Sequence, residues 1–455
     1  MEEIIKKLSG KKVLVIGLGS SGISTALFLN RIGTKVLTND IKCKDELISI
    51  VRILNSLDID FVGGHHKEWL LNGIELIIVS PGISADLSLL KTAIKKGIDI
   101  WSEIELTYRY LNAPIIGITG TNGKTLAVSL VGDIYKSAEK ESFVAGNIGN
   151  PLIDAINRVS VKGRIIAEIS SFQLEWIKKF KPHVAVLLNI SSNHLDRHHN
   201  LSKYTQTKLR IFSNQTENDF AILNYDDPLI KSYEKNLKSQ SIFISSKKVP
   251  EFGVGIENNS VISNIFGKKR ICRLSELPFP SHHITSVLAA IAVSILDNID
   301  MSVVVDILKK YKGLPHRMEY VGKIEGVYVY NDSKATNPQS TISALRSVKK
   351  PIILIAGGRD KKMDFLELGK EIDLNVKKLI LIGETSNIIC SSLRKNIKQR
   401  VFFAKDMIDA VKTAFRECNK EDTILLSPAC ASFDMFKNYK ERGEVFKREI
   451  FKMSK

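Results

Sequence analysis

The sequence predicts an α/β protein whose parallel, doubly wound sheets fall in three successive domains. Three observations carry this expectation. Short apolar runs alternate with helical patterns along the whole chain, as βαβ units do. Two glycine-rich turns, in "VLVIGLGSSG" (13–22) and "GITGTNGKT" (117–125), each follow such a run and open a helix. A chain of 455 residues is also long enough for several cores.

The elements follow in order. The first domain, expected over 1–105, opens with "KKVLVIGLGSSGISTALFLNRIGTKVLTND", which reads as strand, glycine turn, amphipathic helix and strand. Further strands are expected at "IELIIVS" and "IDIWSE", and a linker near Tyr108–Pro114. The second domain, 106–312, starts at "PIIGITG" and adds buried strands at "GRIIAEIS", "HVAVLLNIS" and "DFAILN". Residues 230 to 280 hold only short strand-like pieces of mixed polarity, and the helix "ITSVLAAIAVSILDN" closes the domain. The third domain, 313–455, begins near Gly313-Leu314-Pro315, with strands "GVYVYND", "PIILIAGG", "KKLILIG" and "DTILLSPA".

Composition narrows the class. Hydrophobic content of 44% and charged content of 25% are ordinary for a globular protein. No apolar run reaches the roughly 18 residues of a membrane span. The start, "MEEIIKKLSGKKVLVIG", enters a strand directly and does not read as a signal peptide, so a cytoplasmic protein is expected. Cys43, Cys272, Cys390, Cys418 and Cys430 form no CxxC pair and read as reduced thiols, not as a disulfide framework or a zinc site. The net charge of +17 is spread along the chain with no basic block or aromatic interleaving. That pattern suits phosphorylated substrates better than nucleic acid.

The chemistry-bearing stretches sit after strands. Gly17, Gly19 and Gly22 form GxGxxG, and Asp40 ends the next strand. This is the dinucleotide fingerprint in its proper context. It admits NAD or FAD, another nucleotide diphosphate on the helix N-terminus, or mere close packing of strand and helix. In the second turn, backbone N–H groups of Gly120, Thr121, Asn122 and Gly123 can cradle phosphates. Lys124 can neutralise them, and the Thr125 hydroxyl can hold Mg²⁺. The strict phosphate-loop pattern has a glycine where this chain has Ile118. Glu168 ends an apolar strand and reads either as a Mg²⁺ ligand or as an exposed strand-end glutamate. His194 follows another strand, with Asp196 and Arg197 close behind, but without HxH or HExxH spacing that would argue for zinc. Lys208 reads by pattern as a solvated helix lysine. In the third domain, Asp332, Lys334, Arg359, Lys361, Lys362 and Ser432 all follow strands and suit carboxylate-bearing ligands.

Taken together, "GTNGKT", "NHLDRH", "LPHRME" and the "GGRDK" run make the chain resemble the Mur ligases of bacterial cell-wall synthesis. "SPGIS", "NDSKATNP" and "SPACASFDMFKNYKERGEVF" resemble the D-glutamate-adding branch, and the likeness covers nearly the whole chain. The resemblance implies a Rossmann-like N-terminal domain for a UDP-substrate, a central P-loop ATPase-type domain and a C-terminal Rossmann-like domain for the amino acid. It implies a monomer that ligates D-glutamate to UDP-N-acetylmuramoyl-L-alanine through an acyl phosphate, with release of ADP and phosphate. The family uses a shortened loop, so Ile118 is no obstacle.

Roles carry over by position. Gly120 to Thr125, Arg317 and Asp332 would bind ATP. Thr125 and Glu168 would hold a first Mg²⁺, and His194 with a carbamylated Lys208 a second. Lys124, His194, Lys208 and Lys361 would be catalytic. Gly19, Ser20, Ser21, Asp40 and Lys42 would hold UDP, with Ser80 and Gly82 beside it, and Asn147, Ser170 and Gln173 would face the muramoyl group. Thr336, Lys361, Ser432, Phe433 and Tyr439 would frame D-glutamate.

The chain departs from the family at four places. Leu126 replaces a Ser or Thr, Asn193 an Asp, and His283 and Ser286 two asparagines. The second of those asparagines contacts adenine, and Ser286 would hydrogen-bond a ring nitrogen there. Three rival readings compete with this one: a ligase adding another amino acid or a glutamate to folate, a nicotinamide oxidoreductase, and a basic nucleic-acid binder.

Overall fold

The structure is a computed structural model and describes residues 8–191, 195–311, 313–360, 363–394 and 399–453, without the side chains of 195, 196 and 282. The chain divides into two compact units, Met1–Lys310 and Tyr311–Lys455. The first unit holds two sheets and the second holds one.

The first sheet contains β1 (Lys12–Ile16), β2 (Lys35–Asp40), β3 (Asp60–Gly63), β4 (Leu76–Val79) and β5 (Asp99–Ser102). Their order is β3-β2-β1-β4-β5, with every pair parallel. Side chains alternate between two cores, Val13 and Val15 on one face and Leu14 and Ile16 on the other. Both faces are covered, so the strands read as unbroken apolar runs. The order reverses between β1 and β4. The turn after β1 and Ser80 after β4 therefore share the crevice where ligands of such sheets bind.

Gly22 shows why this turn needs glycine. A Cβ there would lie 1.8 Å from the Gly17 carbonyl oxygen and 2.8 Å from Ser80 Oγ. The helix Ser20–Arg31 thus rests almost directly on the strand end. The packing role of the fingerprint's third glycine is real, whatever nucleotide binds.

The second sheet contains β6 (Ile115–Thr119), β7 (Ser142–Gly146), β8 (Arg164–Glu168), β9 (Val184–Leu187), β10 (Phe220–Asn224), β11 (Gln240–Ser245), β12 (Gly253–Glu257), β13 (Ser260–Ser263) and β14 (Lys269–Arg273). Its order is β14-β13-β12-β11-β10-β9-β6-β8-β7, with a reversal at β6 and β9. The strands from β7 to β12 pair in parallel, and β12 to β14 in antiparallel fashion. The stretch 230–280, indistinct in sequence, supplies this meander. Asn258 and Asn259 both take positive φ between paired Glu257 and Ser260, as a two-residue hairpin turn requires. The apolar helix Ile284–Leu296 packs against the helix Lys124–Ser137.

The expected linker is part of a rigid connection. The helix Glu103–Tyr108 follows β5 at once. Its buried Glu105 accepts the backbone N–H groups of Lys178, Lys179 and Phe180 and pairs with Arg109 at 2.7 Å. A carboxylate satisfied by three amides and a guanidinium ties the first sheet to the second.

In the second unit, β15 (Glu319–Ile324), β16 (Val327–Asn331), β17 (Ile352–Gly357), β18 (Val376–Ile382), β19 (Val401–Phe403) and β20 (Thr423–Leu426) take the order β15-β16-β20-β17-β18-β19. Only β15 pairs antiparallel. Two apolar layers, around Leu354 and around Ile353, cover its faces. Among the described residues no helix is long and apolar enough to cross a membrane, and all five cysteines are unpaired.

Gly22→Ala should lower the stability of the first unit by about 3 kcal/mol, because the new methyl meets backbone that cannot yield. Chemical denaturation followed by far-UV circular dichroism measures this. A midpoint equal to that of the parent would contradict the packing described.

Candidate active site

The second glycine turn is built at the carboxyl end of β6. Ile118 is fully buried within the strand, so the loop begins only at Gly120, with φ +155°. Gly123 takes φ +83°, and the helix Lys124–Ser137 starts after it with no side-chain cap. Its first-turn amides can therefore serve an anion. Leu126, in place of a hydroxyl residue, is buried against the protein.

The loop is laced to the segment after β9. The Thr121 N–H donates to the Asn189 carbonyl at 3.0 Å, and the Asn122 N–H to Asn189 Oδ1 at 2.8 Å. Ser286 donates its hydroxyl to the Gly123 carbonyl at 3.1 Å. Through this bond Ser286 supports the loop.

Charged groups converge on this loop. Lys124 Nζ donates to the carbonyls of Gly120 and Thr121 at 2.7 and 2.9 Å. Lys208 Nζ donates to the same Gly120 carbonyl at 2.9 Å. Lys208 is only 1% exposed, so the solvated-lysine reading fails. Burial, reinforced by the Lys124 charge, pushes its amine well below the usual lysine range, against the opposing pull of Glu168. Glu168 is 2% exposed, which removes the reading of it as an exposed strand-end glutamate. Its carboxylate accepts from Thr125 Oγ1 and from Asn147 Nδ2, each at 2.8 Å.

This donor set suits the Mg²⁺ that the resemblance implies. Magnesium takes few protein oxygens and keeps waters or phosphate oxygens for the rest, and the Thr125 hydroxyl against the Glu168 carboxylate is such a pair. Among the described residues no group of three or more His, Cys, Asp or Glu side chains could hold a metal. His194 and Lys361, named from the sequence, lie outside the described residues.

At the first turn, Asp40 braces the fingerprint: Oδ2 accepts the Leu18 N–H at 2.7 Å and Oδ1 the Lys42 N–H at 2.9 Å. Ser80 Oγ donates to the Gly17 carbonyl at 2.6 Å. Ser21 Oγ is buried with no hydrogen-bond partner, while Ser20, Lys42 and Gly82 are exposed. Ser170 caps the short helix Ser171–Leu174 in a reciprocal box with Gln173, so both side chains are engaged with each other.

Two residues without an assigned role belong here. The Tyr204 hydroxyl lies 3.3 Å from Thr121 Oγ1, and its ring is 4.8 Å from Lys208 Nζ. Arg197 pairs with Glu175 at 2.6 Å and donates to the carbonyls of Pro81 and Ile83, bridging the loop after β4 to the second sheet. Arg197 stood within the "NHLDRH" run, but nothing in spacing distinguishes such a bridge. A cavity of about 600 Å³ lined by Trp101, Tyr108, Tyr110, Arg164 and Lys181 lies at the opposite, amino end of the second sheet, and no candidate site residue lines it.

In the second unit, Asp332 directly follows β16 and is 7% exposed. It accepts from Ser427 Oγ at 2.8 Å and the Met318 N–H at 3.2 Å, and burial pushes its carboxyl up to about 7. Ser432 is buried, Phe433 is 59% exposed, and Arg317, Thr336 and Tyr439 are half-buried. Lys334 Nζ lies 3.8 Å from the centre of the Tyr439 ring.

Three family models match the chain: Mur ligase MurD-like, N-terminal domain at 11–102, Mur ligase middle domain at 118–294, and Mur ligase, glutamate ligase domain at 316–430. The chain belongs to the Mur ligase family. Within that family it is 44% identical to the UDP-N-acetylmuramoylalanine--D-glutamate ligase of Thermoanaerobacter sp. (strain X514), over 98% of this chain and 99% of that protein. It is 43% identical to the protein of the same name from Clostridioides difficile (strain 630), over 97% and 99%. Among solved structures, the UDP-N-acetylmuramate-alanine ligase MurC of Thermotoga maritima shares the fold with a TM-score of 0.59 at 18% identity, covering 98% of this chain and 100% of that one. The MurF ligase of Thermotoga maritima in complex with ADP also gives 0.59, at 16% identity, covering 99% and 100%.

The Asp332 carboxyl yields a pH prediction. Its folded value lies above the ordinary carboxylate value, so its contribution to stability is present at low pH and is lost as pH rises from about 4 through about 7. Asp332→Asn should remove that loss. The melting temperature of the variant, relative to wild type, should be more favourable at pH 8 than at pH 5. An equal difference at both would contradict it.

Proposed function

We propose that this chain ligates D-glutamate to UDP-N-acetylmuramoyl-L-alanine with conversion of ATP to ADP and phosphate, in peptidoglycan precursor synthesis. The observation that carries this reading is the match, over almost the full length, to relatives named for that ligation. The converging Gly120–Thr125 loop, Glu168 and Lys208 give it a chemical basis.

The alanine carboxylate attacks the γ-phosphorus of ATP, and the bond to ADP breaks. The amine of D-glutamate then attacks the acyl carbon, phosphate departs with the bonding pair, and the amine loses a proton. A carboxylate is a poor electrophile, and phosphorylation supplies its leaving group. Lys124 and the loop amides would hold the phosphates. Thr125 and Glu168 would hold a first Mg²⁺, and His194 with Lys208 a second; bound there, the ions would offset repulsion between carboxylate and triphosphate. Arg317 and Asp332 would contact ATP.

The remaining assignments follow the same reading. Ser20, Ser21, Asp40, Lys42, Ser80 and Gly82 would serve UDP, and Asn147, Ser170 and Gln173 the muramoyl group. Lys361, Thr336, Ser432, Phe433 and Tyr439 would serve D-glutamate, with Lys361 pairing with a carboxylate. The three domains would divide at 105/106 and 312/313, and the protein would act as a cytoplasmic monomer.

Lys208 would work as a carbamate. Its lowered amine favours the neutral form, whose nitrogen lone pair can add to the carbon of CO₂ with loss of a proton. The product is an anion where an ammonium would repel a metal.

The test of the reaction is phosphate release with ATP, UDP-N-acetylmuramoyl-L-alanine and either D-glutamate or L-glutamate. Release is expected with the D isomer alone. Equal release with the L isomer, or with neither, would overturn the assignment.

Lys208→Ala should lose at least about a hundredfold in turnover, about 2.7 kcal/mol, and acetate at fixed ionic strength should restore part of it. Near-parental activity would eliminate a role for the carbamate.

A further inference from the structure

We propose that Arg442 is a positioning residue for the amino-acid pocket, locking together the three strand-end segments that carry Thr336, Ser432 and Tyr439. The proposal rests on the reading above that this pocket takes D-glutamate.

Arg442 lies on the helix Tyr439–Lys452 and is 1% exposed, the largest fully buried side chain described. Its Nε donates to Ser333 Oγ at 3.0 Å, and Nη2 donates to the carbonyls of Ser333 and Cys430 at 2.8 and 3.1 Å. Ser333 Oγ in turn donates to the Tyr439 carbonyl at 2.8 Å. One guanidinium fork therefore holds the segment after β16, the segment after β20 and the first turn of the last helix. Each of the three carries a residue assigned to D-glutamate: Thr336, Ser432 and Tyr439.

The arrangement is costly unless it has a purpose. Nη1 is buried with no hydrogen-bond partner, and among the described residues no carboxylate lies within ion-pair distance of Arg442. Asp434 and Asp332 act on it only at longer range, and burial brings its guanidinium down to about 10. A buried cation held only by neutral acceptors is among the less favourable features a fold can hold. Gly358 completes the packing, since a Cβ there would lie 3.2 Å from Nη1 and 2.2 Å from the Ala431 carbonyl oxygen.

The geometry also separates the amino-acid end of the pocket from the nucleotide end. Asp332 has its own anchors, namely the Ser427 hydroxyl, the Met318 N–H and a bond from its N–H to the Leu426 carbonyl at 2.7 Å. Loss of the Arg442 fork leaves those in place. The segments around Ser333 and Cys430 lose the link between them. A defect in this fork should therefore appear in D-glutamate binding and spare ATP.

The experiment is steady-state kinetics of the full-length protein, with each of the three substrates varied in turn, alongside thermal melting. Arg442→Gln should raise the D-glutamate KM by at least about tenfold while the KM for ATP and for UDP-N-acetylmuramoyl-L-alanine stays within about twofold. Arg442→Lys keeps the charge but loses the fork, so it should resemble Arg442→Gln. Ser333→Ala removes two bonds, from Arg442 Nε and to the Tyr439 carbonyl, without leaving the core short of a large side chain, and should raise the D-glutamate KM by roughly threefold to tenfold. It decides the matter if the Arg442 variants do not fold. The proposal is overturned if Ser333→Ala keeps the parental D-glutamate KM. It is likewise overturned if all three KM values rise together, or if Arg442→Lys behaves as wild type. Absence of turnover with D-glutamate in the wild type would instead sink the reading of the reaction, so the two failures are distinct.

Discussion

The site in the first unit depends on one carbonyl, that of Gly120, which accepts from two ammonium side chains. Lys124 reaches it from the following helix turn and Lys208 from a helix about eighty residues downstream. Two cations so close, one of them shielded from water, cannot both stay comfortably charged. The strain of that meeting is relieved if the buried amine is neutral or converted to an anion. The neighbouring Glu168, Thr125 and Asn147 side chains then make sense as a polar network in which both Glu168 carboxylate oxygens accept a hydrogen bond. Helix placement, loop lacing to Asn189 and the support from Ser286 all serve to keep this geometry.

The parallel sheets explain why such distant residues meet. In each, successive βα crossovers bring strand ends to one edge, and the order reverses at one point. The reversal at β1 and β4 joins Gly17 and Ser80. The reversal at β6 and β9 joins the second glycine turn to Asn189. In the second unit, β20 lies between β16 and β17, and its end brings Ser427 to Asp332. Close approach then sets residue size. Gly22 is glycine because a carbonyl oxygen occupies the space a methyl would need, and Gly123 because the Ser286 hydroxyl does.

Individual buried charges in the two units are handled differently. In the first, Glu105 is fully paired by three amides and Arg109 and acts as a tie between sheets. In the second, Asp332 is held by neutral donors, so burial outweighs hydrogen bonding and its carboxyl rises to about 7. Arg442 carries this further, with a fork bonded to carbonyls and a hydroxyl and one nitrogen left unpaired. Such groups fix geometry more than they add stability.

The alternation of apolar strands and helices, the two glycine turns and the length were enough to read three α/β domains from the sequence. Motif spacing was enough to single out Lys124, Thr125 and Glu168. These features are local: a turn, a strand end and a periodic pattern are written within a few residues. The hairpin at Asn258-Asn259 escaped because Gly253, Gly255, Ser260 and Ser263 dilute the apolar signal of its short strands. By pattern alone Lys208 read as a surface lysine, its role coming only from the resemblance, and Arg197, Tyr204 and Arg442 received no role. For those residues the environment is supplied by segments dozens of residues away, so burial, partner and charge state exist only once the sheets have assembled. Ser286 is the sharpest case. Its hydroxyl donates to the Gly123 carbonyl, because a helix more than 160 residues downstream packs against the loop. Sequence alone determined which chemistry the chain could carry, and tertiary structure decided which side chains are desolvated enough to perform it.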